Sequence, residues 1–206
     1  MSYEVEMKFP VLGPLDFEWS AVCEEVDTYY RHPCRDFAQT DEGLRIRRSF
    51  PAMTSFLTYK GPKIDSETKT RQEIEFPLFP ETSDGCQNLL EALGFRPVEV
   101  VRKFRKTTEY RYENREYHLC LDSLPVLKDR GLPSEFLEIE TIAEQDALSE
   151  ARESILRFAQ TLIAEGRLGN TIRKGYLEMI LDSNPPVNPP VNPPANPPVN
   201  PPVPLQ

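Results

Sequence analysis

Glu4, Glu6 and Lys8 stand at every second residue of the run Tyr3-Glu-Val-Glu-Met-Lys-Phe9, with Val5 and Met7 between them. Side chains alternate faces along a strand, so one face of this segment is charged and the other apolar. The spacing recurs along the chain. Its polar sides also collect Arg45, Arg47, Lys60, Arg71, Glu73, Glu75, Lys103, Arg105, Asp122, Glu138 and Glu140, giving seven carboxylates and seven basic groups in all. On a flat sheet in water such a face would be a solvated salt-bridge surface. Turned inward, it would line a charged, water-filled channel. Carboxylates at that density repel one another unless cations bridge them, and Glu and Asp oxygens are the ligands that Mg²⁺ and Mn²⁺ prefer. Arg and Lys facing such a metal site form a cradle for polyphosphate. Seven against seven is neutral, and one or two Mg²⁺ would bring the face to about +2 to +4, roughly what a triphosphate cancels.

Strands must position these residues. Runs of strand character are predicted near residues 3–9, 25–31, 43–50, 55–61, 70–78, 97–113, 115–121 and 134–142, most of them edged by Gly, Pro, Asn or Asp. Helices are predicted over 15–22, over 82–93 before Gly94, over 143–164 before Gly166, and in a short segment over 173–181. Asn114-Arg115, between two strand-like runs, marks a hairpin. Short links favour an antiparallel sheet, and eight strands can close. The expected fold is α+β: an eight-stranded antiparallel β tunnel, a closed barrel with a charged interior, with helices covering its apolar outer face.

With 206 residues and 39% hydrophobic content, the chain can build one substantial core. Residues 1–182 are expected to form it. Residues 183–206 hold the Asn-Pro-Pro-Val repeats and 11 of the 21 prolines, too poor in donors and large apolar groups to join a core. A disordered or semi-rigid polyproline II tail follows, with a Pro-recognising partner as the sharper alternative. A net charge of -9 excludes a general nucleic-acid binder. Cys23, Cys34, Cys86 and Cys120 lack zinc-type spacing and fit reduced thiols in a cytoplasmic protein. No apolar run suits a membrane span or a signal peptide. His32 and His118 are set aside as metal ligands, and neither a Gly-x-Ser-x-Gly elbow nor a Walker loop is present.

Glu4-x-Glu6-x-Lys8 is followed by Asp27-Thr-Tyr-Tyr30, Gly43-Leu-Arg-Ile-Arg47, Tyr59-Lys-Gly-Pro62, Thr70-Arg-Gln-Glu-Ile-Glu75, Lys103-x-Arg105 and Leu137-Glu-Ile-Glu140. In that order, from residue 3 to about residue 180, the chain resembles the CYTH superfamily of triphosphate tunnel metalloenzymes, whose eight-stranded tunnel agrees with the pattern above. The resemblance implies Mg²⁺ or Mn²⁺ held by Glu4, Glu6, Glu138 and Glu140 with Asp122 alongside. It implies a triphosphate (ATP, tripolyphosphate or thiamine triphosphate) gripped by Lys8, Arg45, Arg47, Lys60, Arg71, Lys103 and Arg105, with Lys8, Lys60 and Glu75 in the catalytic step. A homodimer is left open.

In that family a ribose hydroxyl attacking the α-phosphorus makes cyclic AMP, and water attacking a terminal phosphorus makes a triphosphatase. Residues 27–37 leading to Arg45 resemble the class IV adenylyl cyclase branch more than the thiamine triphosphatases. The segment from residue 123 to 134 is longer than the turn usual in the family, and Lys128 and Arg130 on it are expected within reach of the tunnel mouth. A non-catalytic polyphosphate or nucleotide sensor is the remaining alternative.

Overall fold

The computed structural model describes residues 2–183; the Asn-Pro-Pro-Val repeats lie outside them. Eight strands appear where alternation predicts them: β1 (Ser2–Pro10), β2 (Ala21–Arg31), β3 (Gly43–Phe50), β4 (Thr54–Lys60), β5 (Glu73–Leu78), β6 (Arg96–Tyr112), β7 (Arg115–Ser123) and β8 (Glu135–Glu144). All neighbours pair antiparallel in the order β1-β8-β7-β6-β2-β3-β4-β5. The β6–β7 turn lies one residue earlier than expected, with Glu113 at φ 52 and Tyr112 opposite Arg115.

The helices are α1 (Phe37–Thr40), α2 (Pro80–Ala92), α3 (Pro125–Asp129), α4 (Leu148–Ala164) and α5 (Tyr176–Ser183). α2 is followed by Gly94 at φ 93, a left-handed conformation that favours glycine. α4 buries Ala151, Ile155, Phe158, Ala159 and Leu162, one stripe at helical spacing, against Val5, Met7 and Phe9 of β1 and Leu119 and Ile139 of β7 and β8. Smaller cores sit under α5 (Val101, Leu127, Phe136, Ile180) and around Phe37, Ile46 and Leu90. The outer apolar face is only partly covered. Val100 and Phe104 of β6 and Ile74 and Phe76 of β5 are exposed.

Residues 15–20 correct the expected first helix. They run extended, and burial alternates residue by residue, so that Leu15, Phe17 and Trp19 pack on the main core and Asp16, Glu18 and Ser20 face water. Phe17 meets Tyr110 edge-on at 5.1 Å.

The expected closed barrel is also corrected. No strand ladder joins β5 to β1, because Pro62 and the turn at Asp65, whose carboxylate accepts from the Glu67 and Thr68 amides at 2.8 and 2.6 Å, delay β5 until Glu73. Residues 69–71 span the seam. Glu4 and Arg71 form a single bridge through two 3.3 Å hydrogen bonds, and the Lys69 amide donates to the Glu6 carbonyl at 2.9 Å. Further along the same edge of β1, the amides of Gly169 and Ile172 donate to the carbonyls of Pro10 and Lys8 at 2.9 and 2.7 Å.

Candidate active site

The concave face of the sheet encloses a cavity of about 790 Å³. Thirteen side chains on it form a continuous series of ion pairs alternating in sign. Glu4 pairs with Lys60 (3.3 Å), Lys60 with Glu73 (2.5 Å), Glu73 with Arg45 (4.0 Å) and Arg45 with Asp27 (3.1 Å). Asp27 pairs with Arg47 (2.7 Å), Arg47 with Glu25 (3.0 Å), Glu25 with Lys103 (3.1 Å) and Lys103 with Asp122 (2.9 Å). Asp122 then meets Arg105 (2.6 Å), Arg105 meets Glu138 (2.5 Å), Glu138 meets Lys69 (3.7 Å), and Lys69 pairs closely with Glu6, two residues from the starting point. The belt thus crosses the seam that the backbone ladder leaves open.

Four carboxylates in this belt, Glu25, Asp27, Glu73 and Glu138, are held ionised by their cationic neighbours against the cost of burial. Burial alone would raise Glu25, but Lys103, Arg105 and Arg47 outweigh it and bring the carboxyl down to about 2. Asp27, fully buried, is likewise held below the carboxylate range, because Arg47 and Arg45 overcome its desolvation. A carboxylate depressed on folding adds stability above its unfolded value near 4.5 and loses it as pH falls toward 2. For Glu25 that is on the order of 3 kcal/mol. The thermal midpoint should therefore fall steeply between pH 4.5 and 2, and Glu25→Gln should flatten that fall; an unchanged slope in the variant would remove Glu25 from the cause.

Glu140 is different. No ion pair reaches it among the described residues, and burial, then Glu4, then Glu138 and Glu6 push its carboxyl well above the usual range, although Arg105 opposes them. Its ligand oxygen lies with those of Glu6 and Glu138 within 4.8 Å of one another. Lys8 is fully buried, donates to the Lys174 carbonyl at 2.5 Å and stands 3.9 Å from the Tyr176 ring centre. Burial, then the charge of Lys69, draws its ammonium down to about 7, against the pull of Glu138, Glu6 and Asp122.

Of the residues singled out from the sequence, Glu4, Glu6, Arg45, Arg47, Lys60, Arg71, Glu73, Glu75, Lys103, Arg105, Glu138 and Glu140 line the cavity. Glu75 is solvent-exposed and accepts from the Thr58 hydroxyl at 3.0 Å. Asp122 sits behind the lining, fully buried, with Lys103 on Oδ2 and Arg105 on both oxygens. Lys128 and Arg130 are not among the residues lining the cavity: residues 125–129 form α3, and Arg130 donates to the Ile180 carbonyl and the Ser183 hydroxyl of α5 at 2.8 and 2.5 Å. The sequence pattern leaves out Glu25 and Lys69, and Asp27 enters it only as part of the motif Asp27-Thr-Tyr-Tyr30, without a role. The signal was present, since Glu25 and Asp27 alternate on β2, and Lys69 continues backward the spacing of Arg71 and Glu73.

The CYTH domain model matches residues 2–176, and the chain belongs to that family. A Methanocaldococcus jannaschii protein named "Putative adenylate cyclase" is 34% identical over 189 residues, 85% of this chain and 97% of that protein. A solved structure from Pyrococcus horikoshii OT3 is 37% identical, with TM-score 0.72, and the match covers 88% of this chain and 99% of that one. A Hippeastrum protein, described as a "putative adenylyl cyclase" with a dominant triphosphatase activity, shares the fold at 15% identity and TM-score 0.54 over 88% of this chain and 96% of that one. No helix among the described residues is long and apolar enough to cross a membrane.

Proposed function

We propose that the protein is a metal-dependent enzyme acting on a triphosphate, with class IV adenylyl cyclase chemistry, ATP to cyclic AMP and pyrophosphate, as the leading reading. The observation that carries it is the convergence of Glu6, Glu138 and Glu140 in a cavity whose lining also presents Arg45, Arg47, Lys60, Lys103 and Arg105. Three carboxylates suit a hard divalent cation, and Glu140, lacking a cationic partner, is where one is wanted. Glu6, Glu138 and Glu140 would hold Mg²⁺ or Mn²⁺, with Glu4 nearby. The bound metal would supply charge neutralisation to the phosphates.

The chain's own cations do the rest. Arg45, Arg47, Lys60, Arg71, Lys103 and Arg105 bind and orient the triphosphate, and Asp27 and Asp122 behind them hold the guanidinium groups in place. Lys8, fully buried outside the lining but within electrostatic reach of Glu6 and Glu138, has an ammonium drawn down to about 7, which suits it to hold a proton near the site. We take the sheet to work as a tunnel whose seam is completed by residues 69–71. Phe56, opposite Arg47 across the β3–β4 ladder, puts an aromatic ring in the lining, which favours a nucleoside triphosphate over bare tripolyphosphate. The name of the 34% identical relative supports the cyclase reading.

The test is turnover of ATP and of tripolyphosphate with Mg²⁺ and with Mn²⁺, separating cyclic AMP, pyrophosphate and orthophosphate. Cyclic AMP with matching pyrophosphate supports the cyclase; orthophosphate alone makes the enzyme a triphosphatase; no product from either substrate moves a polyphosphate or nucleotide sensor to the front. Arg45→Ala should raise KM about tenfold or more, the loss of one charged contact worth roughly 1.5–3 kcal/mol. An unchanged KM would take Arg45 out of the cradle.

A further inference from the structure

His118 and Cys120 lie two residues apart on β7, and Glu140 stands opposite His118 across the β7–β8 ladder. One ligand atom from each of the three lies within 4.8 Å of the other two. From sequence only Cys120 neighbours His118; the carboxylate that completes the group, Glu140, comes from the next strand and is brought opposite His118 by register. A sulfur, an imidazole nitrogen and a carboxylate oxygen form a donor set for Zn²⁺, whereas Mg²⁺ takes oxygen alone.

A second observation points the same way. His118 Nδ1 lies 2.6 Å from Oε1 of Glu109, its cross-strand partner on β6. A carboxylate there keeps the hydrogen on Nδ1 and the lone pair on Nε2, the arrangement that outer carboxylates impose on metal-binding histidines. His118 and Glu140 line the cavity and Cys120 is fully buried, so a further ligand could come only from the cavity side.

We propose that His118, Cys120 and Glu140 form a site for Zn²⁺ or a similar thiophilic divalent ion, separate from the Glu6 and Glu138 oxygens but sharing Glu140 with them. Binding there displaces the Cys120 thiol proton to solvent and forms the metal–sulfur bond. Because Glu140 would be drawn to the second ion, occupancy of this site inhibits turnover supported by Mg²⁺. That consequence rests on the function proposed above; the binding itself does not.

The experiment is a titration of the whole protein with Co²⁺, as a spectroscopic substitute for Zn²⁺, without triphosphate. One equivalent should give a near-ultraviolet thiolate-to-cobalt band and visible bands of low-symmetry Co²⁺, both removed by Zn²⁺. Cys120→Ser should lose the ultraviolet band. His118→Ala, at a half-exposed position, gives a second variant should the serine substitution unfold the protein, and should lose the site as well. Glu109→Ala, on the surface, should weaken Co²⁺ binding by about 10–100-fold while leaving turnover with Mg²⁺ unchanged. Absence of the ultraviolet band in the parent protein, or its persistence in Cys120→Ser through Cys23, Cys34 or Cys86, would overturn the site. If the band behaves as expected but no substrate turns over, the site stands and the enzymatic reading falls.

Discussion

Glu6→Gln should leave the protein folded and lower turnover by about a thousandfold, roughly 4 kcal/mol in the barrier. The substitution is nearly isosteric and removes one negative charge from the group formed with Glu138 and Glu140. Lys69 loses its closest partner but keeps Glu138 at 3.7 Å, and an amide oxygen can still accept from it. The ammonium is therefore not stranded, and the several kcal/mol that breaking a buried pair costs should be only partly felt. A thermal midpoint near the parent value, together with lost turnover and a raised Mg²⁺ requirement, is the expected pattern. Turnover within a few-fold of the parent at the same Mg²⁺ concentration would remove Glu6 from the metal set.

The belt explains why this cavity tolerates so many charges. Nearly every ionised group in it has an opposite neighbour within 4 Å, so the desolvation that would neutralise an isolated carboxylate or ammonium is offset locally. A triphosphate entering it must compete for guanidinium and ammonium groups that carboxylates already hold. The cation that accompanies it supplies the compensation, since it takes up Glu6, Glu138 and Glu140 while the phosphates take the basic groups. Affinity for the triphosphate should thus depend on the metal more steeply than phosphate charge alone would require.

How much of this could be read from sequence follows from the kind of signal each part leaves. A strand with one apolar and one charged face announces itself by period two, and all eight strands do so. The extended course of residues 15–20 carries the same period, with Leu15, Phe17 and Trp19 alternating with Asp16, Glu18 and Ser20; Pro14 ahead of two acidic residues imitates a helix start. Partner identity is another matter. That Arg105 faces Asp122 across β6 and β7, or His118 faces Glu140, depends on register, and register is fixed by turn geometry and bulges such as the one between Tyr29 and Tyr30. Lys69 lies in the link before β5, aimed by a backbone hydrogen bond to Glu6 and by a turn that Asp65 closes and Arg152 of α4 holds at 3.2 Å. Its spacing from Arg71 and Glu73 marks Lys69 as a candidate, but that spacing alone does not specify the aim.

Asp122→Asn should destabilise the fold, by up to about 3–5 kcal/mol, because Lys103 and Arg105 lose the carboxylate they share and keep only their second partners. For a domain of this size the upper bound corresponds to a fall of up to roughly 20 °C in thermal midpoint. Asp122 has its Oδ1 and Oδ2 committed to those cations and lies behind the cavity lining, which makes it a positioning residue in our assignment. Both cations face the proposed triphosphate, so KM should rise as they lose their fixed direction. Glu25 still holds Lys103 at 3.1 Å and Glu138 still holds Arg105 at 2.5 Å, so the belt is broken at one point and not dismantled. The Mg²⁺ concentration for half-maximal turnover, measured at saturating triphosphate, separates the two roles. A positioning role leaves it unchanged while KM rises; a shifted Mg²⁺ requirement with an unchanged KM would instead make Asp122 a ligand of the metal, as the family resemblance alone implies.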